Sequence, residues 1–227
     1  MYFEQLIKET ASAVVSFTDS YVQNKQGIQK EQSESESTPS ITDFVTNLHQ
    51  LNGQIGYCQL YKQVIQFPKI LQSLVALSLY KVGSHIDLDV DRYRMQVRSI
   101  SRRCLGEIRC KGDEQDQTEL VNIGYGRVIS LSFSTAGGVC EEQDKEISNG
   151  LWEISMILIP LHEEENYPQS SFRQLPLLAR RTEEQIEKEG AYEEIDAQMN
   201  NNGNDGHIKM CSNYAKAATL NRFIHQN

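Results

Sequence analysis

Residues 86–91 read Ile-Asp-Leu-Asp-Val-Asp. Strict alternation of apolar and charged residues is the pattern of a half-buried strand, whose side chains point to opposite faces in turn. Ile86, Leu88 and Val90 then share a buried face with Tyr93, Met95 and Val97 only if one extra residue enters near Asp91-Arg92 as a bulge or tight bend, because the second triplet sits on the other parity. A chain that opens its centre this way is expected to build a sheet. Further strands are expected over residues 57–67, rich in aromatic and β-branched types, and over 104–110, where Cys104, Gly106, Ile108 and Cys110 share a parity ahead of a hairpin turn at Lys111-Gly112-Asp113. Val121, Ile123, Tyr125, Ile129, Leu131 and Phe133 predict another within 120–134. Residues 152–159, apolar on both parities, predict a central strand covered on both faces.

The flanks read differently. Phe3, Ile7, Thr10, Val14, Phe17 and Tyr21 follow a 4-3-4-3-4 spacing, so residues 2–24 form one amphipathic helix that packs on the protein's own core. A Ser/Glu-rich stretch with nothing to bury follows and is expected to be disordered. Ser-Ile-Thr-Asp at Ser40 caps a short helix over 41–51. Pro68 opens another that carries Ile70, Leu71, Leu74, Val75 and Leu77 to about Tyr80 and is closed by Gly83. Prolines at 160, 168 and 176 and the run Glu163 to Glu165 mark an irregular excursion. Helical texture resumes over 181–199, the Asn/Gly tract 200–206 breaks it, and a last helix runs over 214–224.

The resulting layout is α+β: an N-terminal amphipathic helix (1–28), a disordered linker (29–40), a mostly antiparallel β-rich core with flanking helices (41–180) and an acidic helical tail (181–227). The net charge of −9 resides mainly in the two ends, which keeps them solvated and works against bulk attraction to nucleic acid. Five cysteines, odd in number and scattered, fit reduced thiols and an intracellular, cytoplasmic or nuclear setting better than a secreted disulfide framework. The start of the chain lacks the basic and apolar regions of a signal peptide. The apolar run 70–82 is too short and too interrupted to cross a bilayer.

No constellation for catalysis emerges. Gly124-Tyr125-Gly126 lacks the third glycine of a dinucleotide loop, no P-loop or G-x-S-x-G is present, and His49, His85, His162, His207 and His225 each stand alone. Cys104 and Cys110 lie too far apart on a straight strand to share a zinc ion, and no C-x2-C pair exists, so neither metal nor cofactor is expected. Leu71, Leu74, Leu77 and Leu79 have the spacing of a nuclear export signal and residues 57–60 that of a tyrosine sorting motif. Both fall where a core must be built and are read as core.

One cluster stands out. Arg92, Arg94, Arg98, Arg102, Arg103, Arg109 and Lys111 are interrupted by a single acid, Glu107. On a strand, Arg92, Arg94 and Arg98 would emerge together on the water-facing side, and guanidinium forks suit phosphate oxygens. Arg92, Arg94, Arg98, Arg102 and Arg103 are therefore the expected phosphate- or partner-binding residues. Internal pairing with Asp87, Asp89 and Asp91 is the competing reading.

A compact β-rich core, a Ser/Glu segment, an acidic tail and no active site resemble the layout of small matrix proteins of negative-strand RNA viruses. That resemblance implies a non-enzymatic interaction and assembly protein that contacts protein partners or itself, and RNA, a nucleocapsid or an anionic membrane surface. It carries over no site residue, and the net acidity departs from the basic character usual in that group. Two alternatives are a viral movement or accessory protein that binds single-stranded nucleic acid, and an enzyme whose site assembles from distant residues.

Overall fold

A computed structural model describes residues 2–26, 38–57, 60–81, 88–134, 144–162 and 174–220. These contain eleven α-helices, one short 3-10 turn and no strand. The expected β-rich α+β fold is therefore overturned, and the protein is a helical, bundle-like one. The described chain forms two compact units, Met1–Ile108 and Arg109–Asn227.

The first unit contains α1 (Tyr2–Gln26), α2 (Thr38–Gly56), α3 (Tyr61–Ile65), α4 (Ile70–Leu77) and most of α5 (Leu88–Lys111). The apolar stripe of α1 faces the core: Ile7, Thr10, Ala11, Val14 and Thr18 are buried, as are Phe44, Leu48, Leu51 and Ile55 of α2. Phe17 stacks on Phe44 with ring centroids 3.7 Å apart, and Tyr21 meets Tyr80 edge-on at 4.8 Å. Most of the linker expected over 29–40 lies outside the described residues, while residues 38–40 open α2.

The correction matters most in α5, where a strand with a bulge at Asp91-Arg92 is replaced by 24 helical residues. The buried positions Val90, Arg94, Val97, Ser101, Cys104 and Ile108 repeat at 4-3-4-3-4, the same spacing as in α1. A stripe of that period buries one helical face. The acids Asp89 and Asp91 sit in the first turn, and Arg109 and Lys111 in the last, where each sign complements the helix dipole. Leu88, one of the three residues assigned to a buried strand face, is 90% exposed. Ile86 and Asp87 lie outside the described residues.

The second unit holds α6 (Glu114–Asn122), α7 (Tyr125–Phe133), α8 (Asp144–His162), α9 (Pro176–Lys188), α10 (Ala191–Gln198) and α11 (His207–Leu220). The expected hairpin turn at Lys111-Gly112-Asp113 is instead a helix start. Asp113 accepts from the Asp116 backbone N–H at 3.1 Å and donates its own N–H to the Asp116 carboxylate at 3.0 Å, a reciprocal cap that satisfies orphan donors of α6. The strand expected over 120–134 breaks at Gly124, whose φ of +89° joins α6 to α7, a left-handed conformation that glycine adopts at no steric cost. The strand expected over 152–159 lies inside α8, where Ile147, Leu151, Ile154, Leu158 and Leu161 are buried at 4-3-4-3 spacing.

Gly150 sets how closely α7 and α8 approach. A Cβ there would collide with Ser132 Oγ and come within 3.0 Å of a Phe133 ring carbon, and Phe133 is fully buried. Overpacked cores usually lose about 1–3 kcal/mol. Gly150→Ala should therefore lower stability by about that amount despite alanine's better helix propensity, which denaturant titration would read; an unchanged midpoint would show that the two helices can separate freely.

Candidate interaction surface

The arginine cluster is divided by the helical period. Arg94 and Arg98 are 1% and 3% exposed and lie one turn apart on the inner side of α5, with Arg102 a turn further on. Arg94 Nη1 pairs with Asp91 at 3.3 Å. Arg98 Nη1 donates to the Tyr80 carbonyl at 3.2 Å and Arg102 Nη1 to the Ser78 carbonyl at 3.5 Å. Both carbonyls lie just past the end of α4, where a helix presents acceptors and partial negative charge. Arg98 and Arg102 thus tie α5 to the end of α4, while the contact of Arg94 with Asp91 lies within α5. Arg92 and Arg103 are exposed and share a different face of the helix, about 16 Å apart at 1.5 Å per residue. The single water-facing stripe expected from a strand does not form, because period 3.6 sends Arg92 outward and its neighbours inward.

A second polar network lies inside the other unit. Arg109 Nε meets Glu153 Oε2 at 2.9 Å, Arg109 Nη1 donates to the Met156 carbonyl at 3.1 Å, and the Tyr125 hydroxyl donates to the same Glu153 oxygen at 2.9 Å. Burial raises the Tyr125 phenol well above its usual range, the Glu153 carboxylate adds to the rise, and Arg109 offsets part of it. For Arg109, burial opposes the charge but Glu153 and Tyr125 outweigh it, so the net shift is upward. The guanidinium stays charged and the phenol protonated, which is the bonding pattern needed to hold α7 and α8 together.

Other polar features are also structural in their geometry. His162 Nε2 lies 2.9 Å from Glu183 Oε1, a local tie between α8 and α9. Cys104 is fully buried, and burial pushes its thiol far up, so it remains an inert packed group. Among the described residues no three His, Cys, Asp or Glu side chains come together as a metal site requires. No described helix is long and apolar enough to cross a membrane. An open groove of about 1000 Å³ runs along α1. Its lining combines Ala13, Ser12 and Ser16 with Phe67 and Pro68, and holds no histidine or cysteine.

Exposed large apolar side chains also occur singly at Val22, Tyr57, Leu88 and Leu177, but those of α8 and α11 meet one another. Asn204, just ahead of α11, donates its backbone N–H to Asp144 at 3.1 Å and its side-chain amide to Ser148 Oγ at 3.1 Å. Further along both helices Trp152 meets Tyr214 edge-to-face, with centroids 5.8 Å apart and planes at 89°. The two helices therefore run side by side in the same direction. Trp152, Met210 and Tyr214 are 40%, 43% and 51% exposed. Met210 and Tyr214 lie one turn apart on α11, and the rings of Trp152 and Tyr214 join the two helices across their seam.

The sequence carries a signal for this face that the strand reading of 152–159 conceals. The 4-3-4-3 stripe of Ile147, Leu151, Ile154, Leu158 and Leu161 leaves Trp152 off the buried line, so a helical reading places it at the surface. Glu153, beside it in sequence, turns inward to Arg109 and Tyr125. No protein-family model matches this chain, and no curated protein matches it.

Proposed function

We propose that this chain is a non-enzymatic helical interaction protein that takes a protein partner on the face formed by Trp152, Met210 and Tyr214. The observation that carries this reading is the edge-to-face Trp152–Tyr214 pair, held half-exposed on two firmly packed helices. Large aromatic groups of this kind are enriched among the anchors of protein interfaces, because they bury much area with few rotatable bonds. Contiguous exposed apolar surface on a soluble protein commonly marks such a contact. The fixed arrangement of α8 and α11, with Asn204 bridging to Asp144 and Ser148, adds preorganisation, which lowers the entropic cost of binding.

Panning a random-peptide display library on the intact protein provides the test. Peptides enriched on the wild type should bind the double variant Trp152→Ala, Tyr214→Ala at least about tenfold more weakly, the loss of a typical interface anchor. The variant's helical circular dichroism should be unchanged, since both side chains are half in solvent. Equal binding to both proteins would refute the reading.

A further inference from the structure

We infer that Asn202 is a site of spontaneous deamidation and isomerisation, independent of the Trp152 surface, and that the change loosens the turn through which α11 is clasped to α8.

The sequence contains three Asn-Gly pairs, Asn52-Gly53, Asn149-Gly150 and Asn202-Gly203. In such a pair the backbone nitrogen of the second residue can attack the side-chain amide of the first, and glycine has no side chain to crowd the approach or restrict the backbone. The fold separates the three. Asn52 lies within α2 and Asn149 within α8, where the next backbone N–H is bonded to a carbonyl four residues back and ψ stays near about −42°. Asn52 Oδ1 also accepts from Cys104 Sγ at 3.7 Å. Leu51 and Ile55 of α2 and Leu151 and Ile154 of α8 are buried, so either helix must open before a five-membered ring can close.

Asn202 lies outside any helix and is exposed. The amides around it are tied: Asn201 Nδ2 donates to Gln198 at 2.7 Å and Asn204 Nδ2 to Ser148 Oγ at 3.1 Å. Among the described residues the Asn202 carboxamide makes no hydrogen bond. The attacking nitrogen, Gly203 N, donates to Asn201 Oδ1 at 2.8 Å. One local bond of that kind slows the attack by about tenfold at most, far less than the opening of a packed helix.

The reaction needs only water. Gly203 N bonds to Asn202 Cγ, the Cγ–Nδ2 bond breaks, and the proton of Gly203 N departs with Nδ2 as ammonia, leaving a succinimide. Water then opens the ring at either carbonyl. Opening at Cγ gives aspartate, and opening at the main-chain carbonyl gives isoaspartate, whose backbone runs through the former side chain and is longer by one methylene.

That methylene enters a turn with little slack. The Asn202 carbonyl, which accepts from Gly206 N at 3.1 Å, becomes a free carboxylate off the chain path in isoaspartate. Asn204 and Asp205 are held at φ of +52° and +54°, a region few side chains favour. A Cβ on Gly203 would come within 2.6 Å of Asp144 Oδ2, so the turn cannot simply slide. Two residues past the insertion, the Asn204 backbone N–H holds Asp144 at 3.1 Å. Lengthening the chain here pulls on that contact.

The experiment incubates the full-length protein at physiological temperature and mildly alkaline pH, then maps its peptides by mass spectrometry, with aspartate and isoaspartate forms separated by chromatography. The Asn202 peptide should convert at least about tenfold faster than those of Asn52 and Asn149, and in denaturant the three rates should converge. Asn202→Gln, which would have to close a larger ring, should leave its peptide unconverted. In the isoaspartate fraction, amide exchange at Asn204 and in the first turn of α11 should quicken about tenfold or more, while freshly made Asn202→Asp should exchange like the wild type. Conversion at Asn202 no faster than at the two helical pairs would overturn the site, and unchanged exchange in the isoaspartate fraction would overturn the loosening.

Discussion

Replacing Arg94 and Arg98 together with Gln should destabilise the first unit by about 3–5 kcal/mol, because two almost fully buried cations lose charge-assisted bonds and packed stems at once. Asp91 loses a partner at 3.3 Å, the Tyr80 carbonyl loses a donor at 3.2 Å, and the shortened side chains leave a gap on the inner side of α5. In a chain of this size such a change lowers Tm by roughly 10 °C. The control is the pair Arg92→Gln, Arg103→Gln: both groups face water, so stability should stay within about 0.5 kcal/mol. The same control addresses phosphate contact, since any electrostatic binding of RNA by these two side chains would flatten its salt dependence by about 0.7 per lost contact on a single strand. Equal melting of both double variants would mean that the inner and outer faces of α5 are assigned wrongly.

A comparable loss is expected at Arg109. Arg109→Met should cost the second unit about 2–4 kcal/mol, since Glu153 is left with Tyr125 alone and the Met156 carbonyl with no donor from that side chain. Glu153→Gln should be milder, near 1 kcal/mol, because the amide oxygen still accepts from the phenol. The double variant Arg109→Met, Glu153→Met should recover part of the loss, as apolar replacement of both partners commonly does. Chemical denaturation of the four proteins gives the coupling energy directly, and strict additivity would show that the pair is not coupled. The phenol adds a pH signature. Its folded pKa is raised above the ordinary value of 10.0, so above about pH 10 the unfolded chain gives up a proton that the folded one keeps. Stability conferred at Tyr125 is therefore complete below that point and declines as pH rises beyond it.

How much of this was legible depended on whether the residues of a buried stripe were themselves apolar. In α1 they are apolar or, at Thr10 and Thr18, small and uncharged, and the 4-3-4-3-4 spacing from Phe3 to Tyr21 leads to the observed helix. In α5 the same spacing contains Arg94 and Ser101 at inward positions. Discounting them as surface residues removes two of its first four points, and the apolar residues at the start of the helix, Leu88, Val90, Tyr93, Met95 and Val97, then mimic alternation. The bond from Arg98 to the Tyr80 carbonyl, 18 residues away in sequence, helps a guanidinium occupy such a place, and no local pattern reveals it. The three aspartates at 87, 89 and 91 carried a better clue, since acids ahead of a long basic stretch mark a helix start as readily as a sheet surface. Likewise Asp113, read as part of a hairpin turn, has Asp116 three residues on, the spacing of a cap. The candidate surface shared this fate: Trp152 could not be placed outside until residues 144–162 were read at period 3.6.

The position of Trp152 also fixes what light can report. It is the only tryptophan in the chain, it lies in the second unit, and its indole is partly in water against one tyrosine ring. Intrinsic emission excited in the indole band is therefore a local gauge of α8 and α11, shifting to shorter wavelength when a ligand covers the ring and to longer wavelength when that unit opens. The first unit contributes tyrosine alone, with Tyr21 and Tyr80 in ring contact. Loss of its structure would register in ellipticity with no direct signature in the indole band, and a mismatch between the two optical transitions would measure how independently the units unfold.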